Sequence, residues 1–435
     1  MANQAILRLT REIRQFQQGT DLSLAVHYED SDIRNVNALI LGPPDTPYQF
    51  GFFEFSIKFG KDYPTNPPQV LAMTTNGGRC RFNPNIYATG KVCFTWRGTR
   101  GEQWSSAQGL ESILISIQSL MSSNPYENEP GYADATSEHD KRNSEQYTAK
   151  IRHETLRLAV IEPLEASLGI TPASEANASL SDNEERELLE DDKPSPVPFV
   201  DLRKRRFMWY FDSYMQSIDA AMLETPGKQK FTRMPFEQSN NAMNGHFDYA
   251  ELKQRLTAIK ARIIEETSSW AAEGLVAKEQ ELGIAVSLQR QYEQILESIK
   301  NQKNFAIDLN LVNENPFLWK LTYFGKPMTH LDGGIFEIDI FLSPKFPEVQ
   351  PRVSLKTSFF HVRVSQDGVL CYIPHRSEEM RYHIEGIVAA LEEENPPYDP
   401  RTTVNPEAFR LFWGTPENRK RYSRQLRRSV EKTLE

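Results

Sequence analysis

The chain carries the plan of its first half a second time. Residues of matching kind recur 283 positions apart: Gly42 and Gly325, Pro44 and Pro327, Gly51 and Gly334, Phe53-Glu54 and Phe336-Glu337, Pro64 and Pro347, Pro68 and Pro351. After one five-residue deletion the interval becomes 278, and Gly90 and Cys93 then meet Gly368 and Cys371. Glycine marks turns, proline marks breaks and phenylalanine fills cores, so one register kept across all three implies two copies of one structural unit. A chain of 435 residues is long enough for two or three separate cores.

Each copy alternates helix and strand signals. Ile6, Leu9, Ile13 and Phe16 form the stripe of an amphipathic helix over 5–18. Strand-like runs follow at 22–28, 36–41, 51–59 and 69–74, separated by Pro and Gly turns. A second helix is expected over 106–121, with Leu110, Ile113, Leu114, Ile117 and Leu120 on one face, and a third over 140–168. Residues 284–301 supply the first helix of the second copy. Between the copies, residues 171–198 hold eight acidic residues against two basic ones among Ser, Ala and Pro, a composition that predicts a disordered linker. Residues 200–268 return to aromatic-rich helical spacing. The expected boundaries are a first domain at 1–168, an acidic linker at 169–199, a helical extension packed on the first domain at 200–275, and a second domain at 276–435.

Bulk properties narrow the function. The formal net charge of −9 argues against non-specific nucleic-acid binding. No apolar run long enough to span a bilayer occurs, and the first residues lack the apolar core of a signal peptide, so no membrane partner is expected. The three cysteines, Cys80, Cys93 and Cys371, cannot make a disulfide framework, which points to a reducing compartment, cytoplasm or nucleus. Cys80 and Cys93 lack partners at metal-ligand spacing, so neither zinc nor another cofactor is expected.

The chemistry concentrates in FNPNIYATGKVC, residues 82–93. A cysteine can hold an acyl group as a thioester, and a nearby side-chain amide can donate to the oxyanion formed when an amine attacks. Cys93 and Asn85 supply that pair. A lone free cysteine also serves as a small buried hydrophobe, and an Asn in a loop also braces its own backbone.

With LGPPDTPYQFGFFEFSIKFGKDYPTNPP upstream and Trp104 and NPYENEP downstream, this stretch resembles the ubiquitin-conjugating enzyme family, whose mark is His-Pro-Asn at this distance from the active cysteine. Asn83 stands in place of the His, as in the Z-type branch, which IRHETLRLAV and GHFDYAELKQRL also resemble. The resemblance implies an α+β fold class, two tandem ubiquitin-conjugating folds, each an antiparallel four-stranded sheet with flanking helices, joined by a helical extension. It implies an acyltransferase that takes ubiquitin or a ubiquitin-like modifier on Cys93 from an activating enzyme and passes it to a lysine or a ligase. The alternative is a non-catalytic ubiquitin-binding adaptor that keeps the fold. By the same resemblance Asn85 stabilises the oxyanion, and Glu129, with Asn128 as its rival, orients the attacking amine. Tyr87 packs beside the incoming lysine or is an ordinary loop aromatic. Arg8, Arg11 and Arg14 on the first helix would meet the activating enzyme, or simply face solvent. Loops near Thr65 and Ser106 would meet a ligase, although a bulky apolar residue and a proline are usual there. In the second copy His361 stands ten residues before Cys371, but Val362 and Arg363 replace Pro and Asn. That copy is expected to bind or scaffold, with a second thioester on Cys371 as the competing possibility.

Overall fold

The period-two runs become strands and the period-3.6 runs become helices, in the same order twice. The structure, a computed structural model, describes residues 2–19, 21–93, 104–134, 136–170, 197–238 and 242–434. Residues 171–196 of the acidic segment lie outside these. The chain divides into two units, one formed by residues 1–200 and 218–256, the other by 201–217 and 257–435.

In the first unit, helix α1 (Ala2–Gln18) precedes strands β1 (Leu24–Tyr28), β2 (Asn35–Leu41), β3 (Phe52–Lys58) and β4 (Gln69–Ala72). The strands form an antiparallel meander in the order β1-β2-β3-β4, with Ile40 opposite Phe53 and Ile57 opposite Val70. Ala5, Leu9 and Ile13 of α1 pack into its core with Leu110, Ile113, Leu114 and Ile117 of α2 (Leu110–Ser119). The stripe of α1 differs from the expected one: Ile6 is exposed, and the buried Glu12 takes a place in the face instead. One Glu12 oxygen accepts from the Tyr63 hydroxyl at 2.6 Å and from the Leu110 amide at 3.0 Å. The other pairs with Arg8. A buried carboxylate is tolerable only with such partners.

Helix α3 (Glu138–Glu154) runs through a π-helical turn, Thr155–Ile161, into α4 (Glu162–Leu168). The turn lies against Gly51, where a Cβ would come within 2.6 Å of the Thr155 methyl. Helix α5 (Val200–Glu224) is followed by the short strands β5 (Gln229–Lys230) and β6 (His246–Phe247) and by helix α6 (Tyr249–Glu279). The extension was expected to pack on the first domain throughout. Instead 201–217 and 257–275 belong to the second unit, and only 218–256 to the first. The latter part is tied to α3 and α4 by charge pairs. Lys150, fully buried, donates to both oxygens of Glu237 at 2.7 and 2.9 Å, and Arg255 forks onto Glu165 at 2.6 and 2.9 Å.

The second unit holds α7 (Gly283–Asn301) and strands β7 (Ile307–Leu311), β8 (Leu318–Phe324), β9 (Ile335–Phe341) and β10 (Arg352–Leu355). These four strands reproduce β1 to β4 residue for residue at the interval read from the sequence, and they pair in the same meander. Helices α8 (Met380–Glu392), α9 (Pro406–Phe412) and α10 (Pro416–Glu431) complete this unit. Among the described residues no helix is long and apolar enough to cross a membrane.

Two buried imidazoles make the second unit acid-sensitive. Burial pushes His361 down to about 3, with His330 and Arg363 nearby adding to the effect. Burial likewise pushes His383 down to about 4, with Arg205 lowering it further and Ser377 and Glu378 opposing. Both are neutral in the fold; Nδ1 of His383 meets the Tyr372 hydroxyl at 2.8 Å and Nε2 meets the Ser377 carbonyl at 3.0 Å. An unfolded imidazole binds its proton near pH 6.5, so below that the unfolded chain holds more protons and stability falls with pH. The two groups together should cost the unit roughly a few kcal/mol between pH 7 and pH 5. Hydrogen exchange, corrected for intrinsic rate, should show β8 and β9 losing protection over that range. Equal protection at both pH values would contradict the assignment.

Candidate active site

Cys93 sits at the end of a loop whose shape is set by a buried amide. Asn83 is wholly enclosed. Its side-chain nitrogen donates to the Leu120 carbonyl at 2.7 Å and the Tyr48 hydroxyl at 3.1 Å, and its side-chain oxygen accepts from the Asn85 amide at 2.8 Å. Tyr48 in turn donates to the Phe82 carbonyl at 2.7 Å. An Asn here braces the loop through hydrogen bonds alone. The loop then closes: the Ile86 amide donates to the Asn83 carbonyl, the Tyr87 amide to the Lys91 carbonyl, and the Cys93 amide to the Asn85 carbonyl at 2.8 Å. Gly90 makes the turn possible with φ +85°, and a Cβ there would meet the Ala72 carbonyl at 2.7 Å.

Cys93 and Asn85 are both half-buried, and Tyr87 is exposed. The Asn85 side chain makes no hydrogen bond among the described residues, so bracing falls to its backbone and to Asn83. The Tyr87 hydroxyl faces the Cys93 sulfur, and that contact, with burial second, raises the phenol's pKa. Glu129, in the loop after α2, is ion-paired through Oε2 with Arg81 at 3.1 Å. Asn128, its rival, points elsewhere: its amide donates to the Leu120 carbonyl at 3.1 Å and the Ser122 hydroxyl at 3.3 Å. Arg81 also lies 4.9 Å from the Tyr87 ring centre, so Cys93, Tyr87, Arg81 and Glu129 form one continuous group. Sequence reasoning missed Arg81, because its partner lies 48 residues away and no local spacing announces it.

The residues expected at partner surfaces differ in exposure. Arg11 and Arg14 are exposed on α1, whereas Arg8 is engaged with Glu12. Thr65 and Ser106 are both exposed, and their loops are joined by the Trp104 indole donating to the Pro64 carbonyl at 2.8 Å.

In the second unit the same backbone holds different chemistry. The Cys371 amide donates to the Arg363 carbonyl at 2.8 Å, the counterpart of the Cys93 to Asn85 bond. His361 takes the place of Asn83 and accepts from the Arg363 amide at 3.2 Å. The Arg363 guanidinium is committed to Glu393 at 2.5 and 3.0 Å and to the Thr402 carbonyl at 3.2 Å. Arg206 and Tyr210 of α5 stand close enough to Cys371 to interact with it electrostatically, and Tyr210 donates to the Arg401 carbonyl at 2.8 Å. Cys371 is only 1% exposed, and burial pushes its thiol up to about 11. The thiolate is the nucleophile, and at pH 8 it would be roughly one part in a thousand of such a group. Iodoacetamide should therefore label Cys93 in the native chain while Cys371 and the buried Cys80 react only after denaturation. Equal labelling of Cys371 and Cys93 in the native chain would refute the closed site.

Comparisons with known proteins follow the same division. The family model described as ubiquitin-conjugating enzyme matches residues 8–155 and again 287–427. The chain is 38% identical over 266 residues to the ubiquitin-conjugating enzyme E2 Z of Xenopus tropicalis, covering 61% of this chain and 74% of that protein. It is 36% identical over 274 residues to the E2 Z of Homo sapiens, covering 62% and 67%. A 149-residue stretch is 41% identical to the probable ubiquitin-conjugating enzyme protein 17 of Caenorhabditis elegans, covering 33% of this chain and 20% of that protein.

Proposed function

This chain belongs to the ubiquitin-conjugating enzyme family, and from that membership we propose that its first unit carries ubiquitin or a ubiquitin-like modifier on Cys93 and that its second unit carries none. The Cys93 sulfur attacks the thioester carbonyl on the activating enzyme and expels that enzyme's thiolate. A lysine ammonium gives up one proton to solvent and the neutral amine attacks the Cys93 thioester; the carbon–nitrogen bond forms, the carbon–sulfur bond breaks, and the nitrogen's surplus proton passes to solvent or to the departing Cys93 thiolate. Both steps exchange one acyl bond for another, so no activating cofactor is needed on this chain. Asn85 donates to the oxyanion, Glu129 and Tyr87 face the amine, Arg11 and Arg14 with the rest of α1 meet the activating enzyme, and the joined loops at Thr65 and Ser106 meet a ligase where one is used. Cytoplasm and nucleus, where the thiol stays reduced, are the compartments this chemistry suits.

One observation carries the reading: of two loops with the same backbone, the first leaves its cysteine half-buried near an amide that makes no hydrogen bond among the described residues, while the second buries its cysteine beside a committed guanidinium. The test is to incubate the full chain with a panel of activating enzymes and modifiers and look for a thiol-sensitive adduct. No adduct with any pairing, together with binding of free modifier, would favour the adaptor.

A further inference from the structure

Arg81 sits where the parts of the first site meet. It is 6% exposed. A single nitrogen, Nη2, donates both to the Pro84 carbonyl at 2.5 Å and to Glu129 Oε2 at 3.1 Å. Its guanidinium carbon is 4.9 Å from the Tyr87 ring centre, while Lys91 flanks the same ring at 5.8 Å. Its Nε is shut from solvent and has no partner among the described residues. A buried guanidinium with an unpaired nitrogen is costly to keep, and such costs concentrate at functional sites.

We propose that Arg81 is a positioning residue for aminolysis: it aims the Glu129 carboxylate, fixes the carbonyl just before Asn85, and keeps the place of the attacking amine electropositive. The proposal rests on the reading of Cys93 as the acceptor. The charged and titratable groups at this place are Arg81, Tyr87, Lys91 and Cys93 of the cysteine loop, Glu129 of the loop after α2, and Tyr147 of α3. Glu129 alone would stabilise an arriving ammonium and hold on to its proton. Arg81 offsets that charge, so the amine gives its proton to solvent more readily and arrives as the neutral nucleophile. Oε2 is fixed by Arg81, which leaves Oε1 to accept a hydrogen bond from the amine. Loading of Cys93 uses no amine and should feel this arrangement far less than discharge does.

The experiment compares wild type, Arg81→Gln and Arg81→Lys as full chains, loaded with modifier and then discharged to free lysine across a pH series. Arg81→Gln should lose much less in loading than in discharge, which should be about tenfold to a hundredfold slower, as for misplaced groups. Its pH midpoint for discharge should move up by roughly half a unit to one unit. Arg81→Lys, which keeps the charge but not the length and planar shape that bring Nη2 to both acceptors, should keep the wild-type midpoint and recover part of the rate. Should Arg81→Gln fail to load, Arg81→Lys decides alone: normal loading with slowed discharge at an unmoved midpoint supports the proposal. Discharge of Arg81→Gln at the wild-type rate overturns it, as does slowed discharge of Arg81→Gln with no change of midpoint, or loss of loading in both variants. Failure of the wild type to charge would remove the underlying reading and this proposal with it.

Discussion

Incubated with activating enzyme, ATP and modifier, the full chain should form one thiol-sensitive adduct, which Cys93→Ala abolishes and Cys371→Ala leaves unchanged. The expected effect is all or none, because the acyl group has no other thiol to occupy. Cys80 is buried, with its thiol's pKa raised chiefly by that burial, and its sulfur contacts the Met243 sulfur at 3.4 Å. Cys371 is closed off by the packing around it and by the Arg363–Glu393 pair. A band that survives in Cys93→Ala would sink the one-site assignment.

Asn85→Ala should split loading from discharge. The loop does not depend on the Asn85 side chain: the Asn83 amide network and the backbone bond from Cys93 hold it. In the reading proposed above, removing the Asn85 amide should therefore take away an oxyanion donor rather than a brace. Loss of one such donor costs about a hundredfold to a thousandfold in rate. Thioester exchange also passes through an oxyanion, but there the activating enzyme surrounds the reacting carbonyl too, so loading should fall much less. A parallel drop in loading and discharge, with a lowered unfolding midpoint, would assign Asn85 to structure instead.

Much of the fold was legible because its determinants are local or repeated. Period-two runs placed β1 to β4, and the recurring Gly, Pro and Phe positions placed β7 to β10 at the same interval. The loop carrying Asn85 and Cys93 was readable because its groups lie within one short segment. What escaped reading depends on pairs distant in sequence. In α1 Leu9, Ile13 and Phe16 face the core as read, but Glu12 was missed because it looks polar, and Tyr63, Leu110 and Arg8 make its burial tolerable. Arg81 has its carboxylate partner 48 residues on, and Lys150 has Glu237 87 residues on, so neither leaves a periodic trace. The extension was assigned to the first domain because an amphipathic helix declares that it has a partner, not which one; the structure divides it at Ser217 and again at Leu256.

The closure of Cys371 also sets how hard it would be to turn the second unit into a working carrier. Rewriting the loop with Val362→Pro and Arg363→Asn would restore the motif in letters, yet it would release Glu393 from its partner and leave Arg206 and Tyr210 beside the sulfur. The charge and the phenol that now lie near Cys371 would stay in place, because neither belongs to the rewritten loop. If Cys93 is the carrier proposed above, a second carrier would need changes on α5 as well as in the loop, so restoring the motif alone should add no second adduct.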